Sequence, residues 1–421
     1  LPIAASTHRA TVRSSLKAYK RQSKSEQASK LPELIQILET YISYLFALED
    51  GLGGKDNIDV VLKTNPRFSW RPTISSSSIP GREQLRVMLN SLEYEIYFVL
   101  ATLSYAQTLL ARSLLAPLNS TSSAASSSED RTTAITTATK HLLSSASIHA
   151  FLSSRADALA ITTPTTPPCV DVAPSVLRAL SRLAHAEATL LAVAVNDPYP
   201  AAAAQTASSS DKEWMIRAPP IPKVRAHLYA RLCLAGSQHA SIAHDLLKGD
   251  GGGKGGGKVD EHLVQYAAEI ARVGRARACR FLAIDKDASN GTGEAIAWVR
   301  AALHELGLSS SFGDESMEKK SRLGFSRMKS AIKEKQIDAK SEGELADEAR
   351  VLRALEKKWM KENDTIMTQP IPEWMPLLAQ LPSGREMYDV KSWEAPKLAP
   401  GVLASLRAPP ENGEEDAGSD S

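Results

Sequence analysis

Few residues in this chain are spaced for chemistry, and every candidate arrangement lacks a part. Gly252-x4-Gly257-Lys258 matches a phosphate-binding loop up to its last position. That position should carry a Ser or Thr hydroxyl for magnesium, and Val259 stands there. The run follows a helical pattern ending Leu246-Leu247 rather than a strand, so Gly251 to Lys258 reads as a glycine linker. The nine histidines contain no HExxH pair, and His239 and His244, five apart, point away from a shared helix face. The acid pairs Glu93/Glu95 and Glu414/Glu415 fall in a long helical pattern and in an acidic tail, without marks of a poised acid and base. Neither GxSxG nor CxxC occurs, and Cys169, Cys233 and Cys279 are too few and too scattered for a disulfide framework, so they read as reduced thiols of a cytosolic protein. These residue types predict no enzyme, no metal and no cofactor.

The charge balance narrows the partners. Lys+Arg 50 against Asp+Glu 48 over 421 residues leaves a formal charge of +2. A nucleic-acid binder needs a clear basic excess, so none is expected. Hydrophobic residues are 43% but aromatic residues only 5%, an Ala- and Leu-rich composition that favours helix over strand. No uninterrupted apolar run approaches the roughly 20 residues of a membrane span. The opening Leu1-Pro2-Ile3 lacks a signal-peptide pattern and need not be the natural start.

The elements that must carry any functional residue are therefore helices. Leu34, Leu38, Tyr41/Ile42, Leu45 and Leu48 form a stripe of period three and four, beginning near Pro32 and stopped by Gly51 to Gly54. Further helices are predicted at Glu83 to Leu115, Ser128 to Leu159, Pro174 to Asn196, Val224 to Leu247, Val259 to Asp285 and Thr292 to Leu306. The last long one, Ser341 to Asn363, opens with Ser341 and Glu344 in capping-box spacing. Only Asp59 to Lys63 and the region near Met387 could pair as strands. Residues 120–128, 162–168, 198–210 and 248–258 are Ser-, Thr-, Pro-, Ala- or Gly-rich and read as loop inserts in one helical domain, 1–408. Residues 409–421 read as a disordered acidic tail. Lys319, Lys320, Arg322, Arg327, Lys329, Lys333 and Lys335 alternate with Met317, Leu323, Phe325, Met328 and Ile332. That segment is either a solvated helix face or a contact for an anionic membrane or acidic helix.

From Cys169 onward the residues resemble a known family. Ala184-His185-Ala186-Glu187-Ala188-Thr189-Leu190-Leu191 with Asn196-Asp197 is similar to the "AQAQE" helix of the BRO domain, the Bro-one type shared with Alix. Lys223 to Leu232 and Ala235 to His244 resemble the family's "IIAKLANQAADYF" helix, and Lys361 to Ile366 with Pro370-Ile371-Pro372 its "KDNDFIYHERVP" element. Phe68-Ser69-Trp70 and Leu92-Glu93-Tyr94-Glu95 fit its "FxW" and "FE" positions. The two glutamines of "AQAQE" are replaced here by His185 and Glu187. Thr7 to Arg13 and the Asn363 to Pro372 element are most similar to the fungal pH-signalling members.

The resemblance implies an all-α, extended, boomerang-like helical solenoid with tetratricopeptide-like hairpins. It implies a non-enzymatic adaptor of ambient-pH signal transduction, binding the C-terminal amphipathic helix of the filament-forming ESCRT-III subunit and other pathway components. Such a protein would be cytoplasmic and recruited peripherally to endosomal or plasma membrane. Carried over by position, the recognition residues are Leu190, Leu228 and Leu232, with a basic contact at Arg231. Leu228 and Leu232 are four apart and share a helix face, which permits an exposed apolar patch. Arg385, in the turn-rich Pro382-Ser383-Gly384-Arg385-Glu386, is a further candidate for partner binding.

Overall fold

The computed structural model describes residues 1–55, 60–61, 64, 66–76, 84–119, 128–162, 167–208, 221–249, 257–309 and 343–407. The chain opens on a helix that its sequence pattern did not announce, α1 (Pro2–Arg21), with Val12 and Ala5 buried and Leu16 and Tyr19 half-buried. Helix α2 (Lys24–Leu52) begins well before the expected start near Pro32. Ser23 and Glu26 close a capping box there, and Pro32 lies inside the helix. Proline removes one helical hydrogen bond. Burial of Leu31, Leu34, Ile35 and Leu38 around it offsets that loss.

The expected helix from Glu83 is shorter than its apolar run. Its first part is a strand, β2 (Val87–Leu89), paired antiparallel with β1 (Phe68–Trp70) through Ser69 opposite Met88. The Ser91 hydroxyl accepts from the Glu93 amide and starts α3 (Leu92–Leu115). Among the described residues α3 alone is long and apolar enough to cross a membrane by length and composition. It instead packs between α2 and α4 (Ser128–Thr162) and contains Glu95, which is fully buried. Then come α5 (Pro174–Ala194), α6 (Tyr199–Ser208), α7 (Lys223–Gly249), α8 (Glu261–Asp287), α9 (Thr292–Glu305) and α10 (Glu344–Glu362). Helix α6 occupies a stretch expected as loop, and α10 starts after Gly343, so Ser341 is not its N-cap. Short helices α11 (Met375–Leu378) and α12 (Pro400–Arg407) complete the series.

These helices stack in sequence order: α1 on α2, α2 on α3, α3 on α4, α4 on α5, α5 on α7, α7 on α8, α8 on α9 and α9 on α10. Each helix in such an array can bury apolar surface only against its neighbours, so the core divides along the stack. One cluster, including Leu38, Phe98 and Leu177, serves the N-terminal half, and another, including Leu190, Phe281 and Trp359, serves the C-terminal half.

A buried charge knot sits in each half. Glu95 accepts from Arg9 Nε at 2.8 Å, Tyr41 Oη at 3.0 Å and Trp70 Nε1 at 2.5 Å, tying α1, α2, β1 and α3 together. Arg280 on α8 is fully buried and bonds Asp197 at 2.6 Å and Glu348 at 2.5 Å, joining the end of α5 to α8 and α10. Removing one partner of a buried pair strands the others in low dielectric at a cost of about 3–5 kcal/mol. Arg280→Ala should therefore lower the unfolding free energy by about that amount, measured by urea denaturation against the parent chain.

Buried His149 on α4 lies 5.7 Å from the Tyr105 ring, and burial holds its pKa down to about 3. Unfolded histidine titrates near 6.5. Below that pH the unfolded chain takes up a proton that the folded chain does not, so stability is full above about 6.5 and falls as pH drops toward about 3. The expected slope is about 1.4 kcal/mol per pH unit. His149→Phe should flatten it by roughly one proton in denaturation curves recorded from pH 7 to 4.

Candidate functional site

The residues proposed for binding lie where the C-terminal segment crosses the helix stack. That segment starts at Asn363, whose side chain brackets the next turn: Gln369 N–H donates to Asn363 Oδ1 at 3.0 Å, and Asn363 Nδ2 donates to the Gln369 carbonyl at 2.9 Å. Thr368 between them takes a left-handed φ of 46°. The Pro370 carbonyl then lies so near Gly293 that a Cβ there would come within 2.4 Å of it, so only glycine permits this crossing. The Trp374 ring packs at a tilt against His304 of α9, with centroids 4.3 Å apart. The extended chain next crosses α7. Arg231 Nε donates to the Ser383 carbonyl and the Arg385 N–H donates to the Arg231 carbonyl, each at 3.0 Å. Ser147 on α4 donates to the Lys391 carbonyl, and Trp393 ends the crossing between Phe46 of α2 and Phe151 of α4, at 5.8 and 4.9 Å. This strap thus meets α9, α7, α5, α4 and α2 in reverse chain order.

Three titratable side chains meet beneath it. His185 on α5 and His239 on α7 stack at 4.4 Å, with Glu386 of the strap 2.9 Å from His239 Nε2. Such a trio could hold a metal ion by composition. Its hydrogen bonds argue otherwise. Arg182, which has only donors, faces His239 Nδ1 at 3.2 Å, so the His239 proton sits on Nε2 and points at Glu386. His185 Nε2 points at the Tyr388 carbonyl at 3.0 Å and carries its own proton there. A metal would need both of these nitrogens as lone pairs. Burial, then the neighbouring His239, lowers the His185 pKa and keeps that ring neutral. The trio is a polar latch on the strap. Sequence spacing missed it, because His185 and His239 belong to different helices and Glu386 lies far downstream; the replacement of a family glutamine by His185 was the available signal.

The predicted apolar patch is corrected by the structure. Leu190 and Leu232 are 3% and 5% exposed and belong to the C-terminal core. Leu190 lies against Gly236, where a Cβ would come within 2.9 Å of its Cγ, so α5 and α7 cross closely there. Both helices lie inside the stack and are covered on two sides, which turns leucines that a lone helix would expose into core. Leu228 is half-buried at the edge of that core, and Arg231 is pinned to the strap. Arg385 is exposed and anchored by its backbone. Near the start of α7, Val224 (82% exposed) lines up with half-buried Leu228 and Arg231, flanked by exposed Lys223 and Arg225. A cavity of about 360 Å³ lies beside it, bounded by Arg131, Asp197, Pro222, Arg225 and Tyr229. Lys319, Lys320, Arg322, Arg327 and Lys329 lie outside the described residues, as does the tail 409–421.

A Cβ at Gly384 would come within 2.9 Å of the Ala235 amide nitrogen. Gly384→Val should lift the middle of the strap, raising the rate of tryptic cleavage after Arg385 at least tenfold. The stack's melting temperature should change little, since strap residues 383–387 are already exposed.

Comparison with known proteins agrees with this architecture. Residues 6–399 match the BRO1-like domain. The pH-response regulator protein palC of Emericella nidulans is 38% identical over 458 residues, covering 100% of this chain and 89% of that protein. The palC protein of Cryptococcus neoformans is 32% identical over 171 residues, covering 39% of this chain and 32% of that protein. Among solved structures, the ALIX BRO1–CHMP4C complex aligns with a TM-score of 0.52 at 15% identity, over 93% of this chain and 92% of that one. ALIX in complex with the SIVmac239 PYKEVTEDL late domain aligns with a TM-score of 0.53 at 15% identity, over 91% and 47%. The stacked helices, the strap and the match across nearly the whole sequence lead to one statement: this chain belongs to the BRO1-like domain family, with the helical boomerang fold of its structural neighbours.

Proposed function

We propose that this chain is a non-enzymatic adaptor in ambient-pH signalling that binds the C-terminal amphipathic helix of an ESCRT-III filament subunit. The full-length similarity to a pH-response regulator supports the pathway, and the fold shared with a BRO1 domain solved with CHMP4C supports the class of partner. The observation that carries the reading is the stripe near the start of α7. Val224, Leu228 and Arg231 follow one another at helical spacing, with Lys223 and Arg225 beside them. An amphipathic helix with an acidic flank fits such a surface, its apolar side on Leu228 and a carboxylate on the Arg231 fork. Arg385, next to Arg231 on the strap, extends the basic side. Leu190 and Leu232 form the floor of this surface rather than its contact layer. The adaptor would work in the cytoplasm, recruited to endosomal or plasma membrane together with other pathway components.

Fluorescence polarisation with a labelled ESCRT-III C-terminal helix tests the assignment. Leu228→Asp should weaken binding by about 2 kcal/mol, roughly 30-fold, with the circular dichroism unchanged. Leu190→Asp and Leu232→Asp should instead unfold the C-terminal half. A folded Leu228→Asp chain that binds as tightly as the parent would sink this site.

A second reading rests on the alternation of cations and apolar residues between Lys319 and Lys335, which suits an anionic membrane. Flotation with anionic liposomes that survives Leu228→Asp but fails when Lys319, Lys320, Arg322, Arg327 and Lys329 are reversed in charge would favour it.

A further inference from the structure

A mainly apolar recess of about 480 Å³ opens between α1, the β1–β2 hairpin and α3. Sites of roughly 300–1,000 Å³ enclose a whole small ligand, so a single anchoring side chain would leave this one mostly unfilled. Its walls are Val12, Leu16 and Tyr19 of α1 with Trp70, Phe98 and Ala101 opposite. Trp70 and Phe98 stack at 5.6 Å. Ser69, Thr73, Thr102 and Asp171 add polar groups to the lining, and Tyr105 lines it too, its hydroxyl buried and without a hydrogen-bond partner. Burial, then the neighbouring Asp171 carboxylate, raises its pKa, so it stays a proton donor to any ligand oxygen that reaches it.

The edge of the recess is cationic. Arg9, Arg13, Lys17 and Lys20 follow at helical spacing along the cavity side of α1, and Arg86 stands across from them on the hairpin side. Helix α1 has no acidic residue. Arg9 is committed to Glu95, but Arg13 and Lys17 are exposed and have no carboxylate partner among the described residues. The two nearby acids are already satisfied. Glu95 is held by Arg9, Tyr41 and Trp70, while Asp171 accepts from the Thr73 and Ile74 amides at 2.6 and 3.1 Å and from Ser75 Oγ at 2.7 Å. The field at the mouth is therefore positive over an apolar interior. The chain's own tail, with Glu411, Glu414, Glu415, Asp416 and Asp420, has the right charge but no large apolar residue to fill the walls.

We propose that this cavity binds a single-chain anionic amphiphile, its hydrocarbon tail against Leu16, Trp70 and Phe98 and its phosphate or carboxylate head against Arg13 and Lys17. This inference is independent of the ESCRT-III reading, which concerns α7. The same chemistry could arrive as a free monomer or as a lipid in a bilayer, and the experiment separates the two. The full chain is titrated with monomeric lysophosphatidate carrying a brominated tail, kept below its micelle concentration, and tryptophan fluorescence is recorded. Saturable quenching at one ligand per chain is expected, with Trp70→Phe removing most of it. The double variant Arg13→Glu/Lys17→Glu should weaken binding at least tenfold, and Leu16→Trp, which fills the cavity, should abolish it. Should Leu16→Trp fail to fold, Thr102→Ile narrows the same space from α3. Equal binding of zwitterionic lysophosphatidylcholine, or unchanged binding in the folded cavity-filled variant, would overturn the proposal. So would adsorption to phosphatidylserine vesicles alone, sensitive to the charge reversals but not to Leu16→Trp, since that is surface attraction without a site.

Discussion

A linear stack of helices lets each member bury itself only against its neighbours, and this constraint shapes the rest of the molecule. Nothing in such an array couples α9 to α2 except what runs across it. The strap from Asn363 to Trp393 makes that crossing, meeting five helices in reverse chain order. It contributes few buried residues and few regular hydrogen bonds. Its attachment rests on points: the Asn363 bracket, the Gly384 approach to α7, the histidine latch and the Trp393 aromatic clamp. An element held at points can yield at one of them without unfolding the stack.

The polar interior follows the same logic. Glu95 and Arg280 are fully buried charges, and each joins elements distant in sequence: Arg9, Tyr41 and Trp70 in one case, Asp197 and Glu348 in the other. Such knots cost desolvation and return geometry, since a charge with fixed partners tolerates one register only. They explain why the residues carrying the family resemblance look as they do. Trp70 of "FxW" bonds Glu95 of the "FE" position, and Asn363 of the "NDTI" element turns the chain into the strap. Glu187, one of the two departures from "AQAQE", takes Arg112 at 3.0 Å and Tyr266 at 2.6 Å. The motifs are structural joints.

Much of the fold was legible in the residues, and the reason is periodicity. Long helices repeat their apolar side every three to four positions, so α4, α5, α7, α8 and α9 fall close to the expected ranges. The errors occur where tertiary contacts override local pattern. Pro32 lies inside α2 because the packed leucines around it hold the helix, and Val87 to Leu89 form a strand because Phe68 to Trp70 pair with them. The alanines after Pro198 make a helix where composition suggested a loop.

For the candidate site the division is sharper. From residues alone came the family, the helical class, the absence of catalytic spacing and the position of Leu228 and Arg231 on one side of a helix. Which leucines face solvent was decided only in three dimensions, because a helix side is exposed or buried according to what packs on it, and Leu190 and Leu232 meet neighbours that their own spacing cannot reveal. The same holds for His185, His239 and Glu386. Their separation along the chain carries no periodic signal, and only the crossing of the strap over α5 and α7 makes them one cluster.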